Sequence, residues 1–165
     1  MEEETTEVAP QEEEEPKKYY IDTDWYTRHN RSFRVIAEKR FCSSCKEKIG
    51  TETQERVPTL DPKTGRVVYE TRTVPFGSNP TAVIRSCCSK ERGYISAEMP
   101  ILEAVFRVFL MNGNQPTDLE GIRGELSQWF SLTSRAHGYS AELLRRLIEG
   151  DDYYGLREFA THIEE

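Results

Sequence analysis

The chain has 165 residues, a formal net charge of −7 at pH 7 and a hydrophobic content of 36%. This length allows one domain, or two small ones that share a core. No apolar run is long enough to cross a bilayer, and the acidic start Met-Glu-Glu-Glu lacks the basic residues of a signal or transit peptide. We therefore expect a soluble cytoplasmic protein, in which cysteines serve more often as metal ligands than in disulfides.

The charges are distributed unevenly along the chain. Residues 1–16 contain eight acidic residues and no basic one, residues 17–95 contain sixteen basic and nine acidic residues, and residues 96–165 contain six basic and twelve acidic ones. We predict a disordered acidic tail over 1–18, which acts as a solubilising arm or folds back over the basic middle. The tail is followed by an N-terminal helix and a β module over 19–95. A helical domain over 96–165 completes the chain.

The first folded segment, Tyr19 to Arg40, has the pattern of a helix. Asp22, Thr23 and Asp24 are suitable N-caps. Apolar side chains then recur at helical spacing: Trp25, His29, Phe33, Ile36 and Ala37. An extended structure around Trp25 and Tyr26 is the alternative.

A β-hairpin is predicted between two pairs of cysteines. Thr53–Leu60 and Arg66–Val74 have the composition of strands, and Asp61-Pro62-Lys63-Thr64-Gly65 between them is a strong turn signal. A third strand over Thr81–Arg85 would carry the second cysteine pair back to the first.

The last part of the chain is predicted to be helical. Pro100–Met111 is apolar over most of a helix surface, which indicates a central position in a core. A capping box begins at Thr117 and a second helix follows it, with the apolar stripe Leu119, Ile122, Leu126, Trp129 and Phe130. Ser140 caps a third helix, with the stripe Leu143, Leu144, Leu147 and Ile148. Residues 151–159 form a short wing-like hairpin or a final short helix.

The cysteines carry the most specific signal in the sequence. Cys42-Ser43-Ser44-Cys45 has the spacing of a metal-binding knuckle, and a hairpin can bring Cys87 and Cys88 back to complete a four-thiolate site of the kind that Zn²⁺ prefers. Adjacent cysteines on a strand point to opposite faces, so the chain must turn at the second pair. We predict one structural Zn²⁺ bound by these four cysteines. Three cysteines with His29 as fourth ligand, a redox or disulfide pair, and unpaired thiols are the alternatives.

These features resemble two known families. Residues 41–88 resemble a zinc ribbon with an irregular second knuckle. Residues 96–160 are loosely similar to a small winged-helix-like domain. Together they predict an α+β fold, with a small zinc-ribbon-like β module and three to four helices.

The residue types argue against an enzyme. The chain has only three histidines, no H-E-x-x-H motif and no glycine-rich phosphate loop, so neither a catalytic zinc nor a nucleotide site is indicated. We predict a non-catalytic, zinc-binding accessory or regulatory protein of nucleic-acid machinery, associated with transcription or the ribosome. A protein–protein adaptor with a structural zinc and no nucleic-acid contact is the competing hypothesis.

Basic residues around the first helix and the two knuckles are the candidates for RNA or DNA binding, because phosphate contacts are made mainly by Lys and Arg. They are Arg28, Arg31, Arg34, Lys46, Lys48, Arg85, Lys90 and Arg92. An ordinary solvated surface is an equally good explanation of these charges. A protein partner is expected in either case, and no membrane contact is expected.

Overall fold

A computed structural model describes residues 15–130 and 139–160. Within them the fold is α+β, as predicted, with seven α-helices and two small antiparallel sheets of three and two strands. Most of the predicted acidic tail, residues 1–14, lies outside the described residues. No helix in the described part of the chain is both long and apolar enough to span a membrane.

The elements of the first half run up to the second cysteine pair: β1 Lys18–Ile21, α1 Thr23–Arg28, α2 Phe33–Glu38, α3 Ser43–Glu47, β2 Glu52–Leu60, β3 Val67–Pro75, α4 Pro80–Ser86 and a 3₁₀ helix Cys88–Lys90. Those of the second half build the larger sheet and its helices: α5 Ile101–Met111, β4 Thr117–Asp118, α6 Leu119–Trp129, α7 Ala141–Glu149 and β5 Leu156–Phe159.

The prediction of one helix over Tyr19–Arg40 is wrong. Tyr19 and Ile21 are buried with the alternation of a strand, and β1 lies between β4 and β5 in the three-stranded sheet. Helix α1 ends just before Asn30, which adopts a left-handed backbone with φ 55°. The next helix, α2, is capped by Ser32, whose hydroxyl accepts from the N–H of Val35. The helical spacing of the apolar residues is present, but it is divided between two short helices, α1 and α2, with a break between them.

The predicted third strand over Thr81–Arg85 is also wrong, because this segment belongs to helix α4. Pro80 occupies the first helical position, where its missing N–H costs nothing, and Ile84 is fully buried. The helix packs against α5. The β-branched residues favour a strand only weakly, and the helix start signal together with tertiary packing outweighs them.

The hairpin prediction is confirmed. β2 and β3 pair in register from Glu52 opposite Pro75 to Leu60 opposite Val67. The turn between them is closed by the N–H of Gly65, which donates to the carbonyl of Asp61 at 2.8 Å. Gly65 has φ +66°, a conformation that strongly favours glycine.

The helices of the second half largely follow their predicted patterns. The N-cap of α6 is Asp118 rather than Thr117, and its carboxylate accepts from the N–H of Gly121 at 2.8 Å. Ser140 caps α7 as predicted. On α7, however, Leu144 and Ile148 are fully buried, whereas Leu143 is 37% exposed, so the buried stripe is narrower than predicted.

The chain after α7 forms neither of the two predicted structures. A turn precedes β5, and the Asp151 carboxylate organises it by accepting from the N–H groups of Tyr153, Tyr154 and Leu156. β5 then pairs with β1 from the other end of the chain. A contact between segments so far apart has no local sequence signal.

The buried apolar side chains form one core that joins both halves of the chain. Its members include Tyr19, Tyr26, Phe41, Cys45, Ile84, Cys88, Phe106, Phe109, Leu126, Leu144 and Leu156. The cysteine knuckles are therefore built into the main core rather than held apart from it.

Candidate metal centre

The structure brings all four cysteines together. Their Sγ atoms lie within 4.8 Å of one another, and the Cys42 and Cys87 sulfurs are 3.8 Å apart. Four sulfurs placed about 2.3 Å from a central ion at the corners of a tetrahedron are about 3.8 Å from each other. A disulfide would instead require a sulfur–sulfur distance of about 2.0 Å. The group thus consists of separate thiols at a spacing that can hold one metal ion.

The first knuckle is a single helical turn. Cys42 is the N-cap of α3 and has an extended backbone, while Cys45 lies inside the turn and is only 2% exposed. Positions three apart on a helix share a face, so both sulfurs point to the same centre. The N–H of Cys42 also donates to the Sγ of Cys88 at 3.2 Å, a bond that joins the two knuckles.

The second knuckle explains how adjacent cysteines reach one centre. Helix α4 ends at Ser86, and Cys87 has φ −131° and ψ −68°, after which the chain enters the 3₁₀ helix that begins at Cys88. The change in backbone direction between the two elements turns both sulfurs inward. A strand would have sent them to opposite faces. The knuckle therefore departs from a zinc ribbon, because a helix end replaces the expected strand.

The thiols have unequal electrostatic environments. Burial raises the pKa of Cys45 and of Cys88, since a charged thiolate is disfavoured away from water. Cys42 is partly exposed, and the hydroxyl of Ser44, 3.3 Å from its sulfur, lowers the pKa of Cys42 to about 6. A bound divalent cation would supply the positive charge that four clustered thiolates need.

His29, the alternative fourth ligand, is not part of the cysteine group. Its ring stacks on Trp25, with ring centroids 4.3 Å apart, and its Nδ1 lies 2.7 Å from the Trp25 carbonyl oxygen. Among the described residues, the four cysteines form the cluster with metal-ligand geometry.

A partly buried ion-pair network next to the knuckles was not predicted from the sequence. Arg40 donates to both carboxylate oxygens of Glu103, at 3.0 and 2.8 Å, and Arg107 donates to one of them at 3.0 Å. Arg40 is 10% exposed and Glu103 is 14% exposed. Only the Glu103–Arg107 spacing was visible in the sequence, because Arg40 lies on a distant segment.

Tyr94 extends this network to the second knuckle. Its hydroxyl donates to the Arg107 carbonyl at 2.8 Å, and the Arg107 guanidinium donates to the Tyr94 carbonyl at 2.8 Å. Arg40 lies two residues before Cys42, and Tyr94 lies six residues after Cys88. Both knuckles are thus anchored to α5 by polar contacts as well as by the core.

Three of the predicted nucleic-acid-binding residues lie on or next to α1 and α2. Arg28 pairs with Asp22 at 2.9 Å, and Arg34 pairs with Glu38 at 2.8 Å. The Arg31 guanidinium lies over the Trp25 ring, 5.4 Å from its centroid. Arg28 and Arg34 are therefore partly neutralised within the chain.

The remaining predicted residues belong to the segments around the knuckles. All five are exposed: Lys46, Lys48, Arg85, Lys90 and Arg92. The ammonium group of Lys48 lies 5.7 Å from the centre of the Phe76 ring. Arg92 lines a cavity of about 210 Å³ next to Cys42 and Cys88. Nucleic-acid binding by these side chains stays a prediction.

No protein-family model matches the chain, and no significant match was found among curated proteins or among solved structures. The functional conclusions below therefore depend on the chemistry of the described residues.

Proposed function

We propose that Cys42, Cys45, Cys87 and Cys88 bind one structural Zn²⁺, and that the chain is a non-catalytic accessory or regulatory protein of cytoplasmic nucleic-acid machinery. The observation that carries the proposal is the group of four sulfurs within 4.8 Å of one another. Thiolates select soft or borderline metals, and a tetrahedral set of four favours zinc.

A structural role for the ion follows from the ligand set. A catalytic zinc keeps a coordination position for water or substrate, whereas four protein thiolates fill all four positions. Two of the sulfurs belong to side chains that are 2% or less exposed, which leaves little room for a substrate. Zinc bound here would join Cys42 and Cys45 to Cys87 and Cys88, the two ends of the segment that contains the β2–β3 hairpin.

The nucleic-acid part of the proposal is supported by the exposed cations around the knuckles. Lys46, Lys90 and Arg92 have no acidic partner within salt-bridge distance among the described residues. We propose that such a surface binds nucleic acid in transcription or at the ribosome.

The competing function, an adaptor that contacts only protein, is favoured by a different observation. The hairpin exposes apolar side chains, among them Leu60 at 71% and Tyr69 at 62%. Exposed apolar groups that cluster on one element mark protein contacts more often than phosphate contacts.

Replacing Lys46 and Lys48 together with glutamate should weaken binding to RNA and to duplex DNA. If both side chains contact phosphate, the slope of log K against log salt should fall in magnitude by about 1.4 on single-stranded RNA and about 1.8 on duplex DNA. Deleting residues 1–16, with their eight acidic side chains, should strengthen binding. Fluorescence anisotropy over a salt series measures both effects.

The matched control is Lys63→Glu with Arg66→Glu, which changes the net charge equally but at the far end of the hairpin. It should leave the slope unchanged. Absence of binding to either nucleic acid by the tail-deleted protein at low salt would support the adaptor function instead.

A further inference from the structure

The β2–β3 hairpin extends without a partner strand among the described residues. Each strand has nine residues, about 30 Å of length at ~3.3 Å per residue. The sheet contains only these two strands, and most side chains on both of its faces are exposed. Isolated two-stranded sheets are marginally stable in water, and their open edges readily accept further strands.

The hydrogen-bonding pattern shows which backbone groups face outward. The N–H of Phe76 donates to the Thr51 carbonyl at one end, and the N–H of Asp61 donates to the Arg66 carbonyl at the other. Bonded pairs alternate along an antiparallel ladder, so the odd-numbered residues of β2 are bonded to the even-numbered residues of β3. Pro58 and Pro75 fall in the non-bonded pairs, where the missing N–H costs no ladder bond.

The two outer edges of the hairpin differ as a result. On β2, Pro58 removes an outward N–H in the middle of the edge, which blocks the addition of a strand. On β3, outward N–H and carbonyl groups continue from Val67 to Thr73 without a proline or a lysine, and only Pro75, at the end of the strand, lacks an outward N–H. They belong to Val67, Tyr69, Thr71 and Thr73.

We propose that β3 pairs antiparallel with β3 of a second copy of this chain, about a two-fold axis at Thr71. Each Glu70 then lies directly opposite the partner's Arg72, and the two charge pairs are related by the axis. Opposite charges in direct cross-strand positions are favourable, and like charges are unfavourable. The result is a four-stranded sheet with an isologous interface.

The alternative registers of the same edge lack this complementarity. The nearest shift in one direction places Glu70 opposite the partner's Glu70, and the nearest shift in the other places Arg72 opposite the partner's Arg72. The Thr71-centred register also places Arg72 between its own Glu55, which faces it across the hairpin, and the partner's Glu70. The strand is therefore complementary to itself in one register, which favours a second copy over an unrelated strand.

Apolar side chains near the turn gain contacts in the same arrangement. Val67, which is 58% exposed, lies opposite the partner's Pro75, and Tyr69, which is 62% exposed, lies opposite the partner's Thr73. Pairing thus covers side chains that the single chain leaves in water. Neither the metal nor nucleic-acid binding enters this proposal, so its outcome is independent of the proposed function.

Sedimentation of the full chain with Thr71→Pro tests the edge. Thr71 is in a non-bonded pair with Arg56, so proline there spares the hairpin ladder and removes only an outward N–H. The matched control is Gln54→Pro, which does the same on the edge of β2. We expect the wild type and Gln54→Pro to dimerise and Thr71→Pro to be monomeric, with equal metal content and circular dichroism in all three.

Charge exchange tests the register without altering the backbone. Arg72→Glu and Glu70→Arg should each weaken the homodimer roughly tenfold, because each places like charges opposite one another. A mixture of the two variants should form heterodimers, and the double exchange Glu70→Arg/Arg72→Glu should restore the homodimer. A monomeric wild type would overturn the proposal and leave the β3 edge open to a strand of another protein. A dimer that persists in Thr71→Pro, or single charge variants that dimerise normally, would also overturn it.

Discussion

Replacing Cys45 with serine should abolish metal binding and unfold the part of the chain that surrounds the two knuckles. Cys45 is 2% exposed and belongs to the main core, so its sulfur is both a proposed ligand and a packed group. Zinc binding contributes about 10–16 kcal/mol to folding in zinc-finger peptides at pH 7, and a serine hydroxyl does not replace a thiolate ligand. Metal analysis and denaturant unfolding measure the two losses.

Ser43→Ala is the matched control for this variant. Ser43 lies in the same helical turn, but its side chain is exposed and is not a proposed metal ligand. It should keep the full metal content and nearly the same unfolding transition. Full metal content in Cys45→Ser would contradict the four-cysteine site, and a chelator that leaves the wild-type transition unchanged would contradict a structural role for the metal.

Glu103→Gln should cost about 1.5–3 kcal/mol of unfolding free energy, the usual range for losing hydrogen bonds to a charged group. The substitution leaves the Arg40 guanidinium, which is 10% exposed, without a compensating charge. Because the pair is partly buried, the loss should be smaller than the roughly 3–5 kcal/mol of a fully buried pair. The second arginine, Arg107, loses the same partner. Chemical denaturation of the metal-loaded protein measures the difference.

Two variants separate the charge effect from a loss of packing. Glu142→Gln removes a carboxylate that pairs with Arg145 on the exposed surface of α7, and it should hardly change the transition. Replacing both Arg40 with methionine and Glu103 with leucine removes both partners of this pair and should recover part of the loss, since Arg107 still lacks its carboxylate partner. If Glu103→Gln were as stable as the wild type, the network would have no structural role.

The same pair predicts a dependence on pH. Burial opposes ionisation of Glu103, but hydrogen bonds from Arg40 and Arg107 outweigh it and hold the pKa of this carboxyl below its usual value. The stability from the pair is therefore full above a pH of about 4.3, the ordinary pKa of glutamate, and is lost as the pH falls through the folded-state value. The difference between wild type and Glu103→Gln should shrink accordingly in acid.

Local patterns in the sequence predicted the hairpin, helix α5 and the cysteine group. The turn from Asp61 to Gly65 carries a strong local signal, and the helix is long and strongly apolar. The members of the cysteine cluster were predictable because Cys42 and Cys45 have the spacing of a metal-binding knuckle. The hairpin signal between the two cysteine pairs indicated that Cys87 and Cys88 return to them.

The features that the sequence did not reveal depend on distant contacts. β1 is a strand because β4 and β5 lie on either side of it, and both come from the second half of the chain. The Arg40–Glu103 pair joins residues 63 positions apart. The segment before the second knuckle, Thr81–Arg85, is predicted as a strand, whereas packing of α4 on α5 makes it helical.

X-ray absorption at the zinc edge of the purified full chain tests the central claim most directly. We expect one zinc per chain with a shell of four sulfur atoms at about 2.3 Å, supplied by the cysteines that cluster in the structure. A shell that contains nitrogen or oxygen, or a chain purified without metal that takes up no zinc, would contradict it.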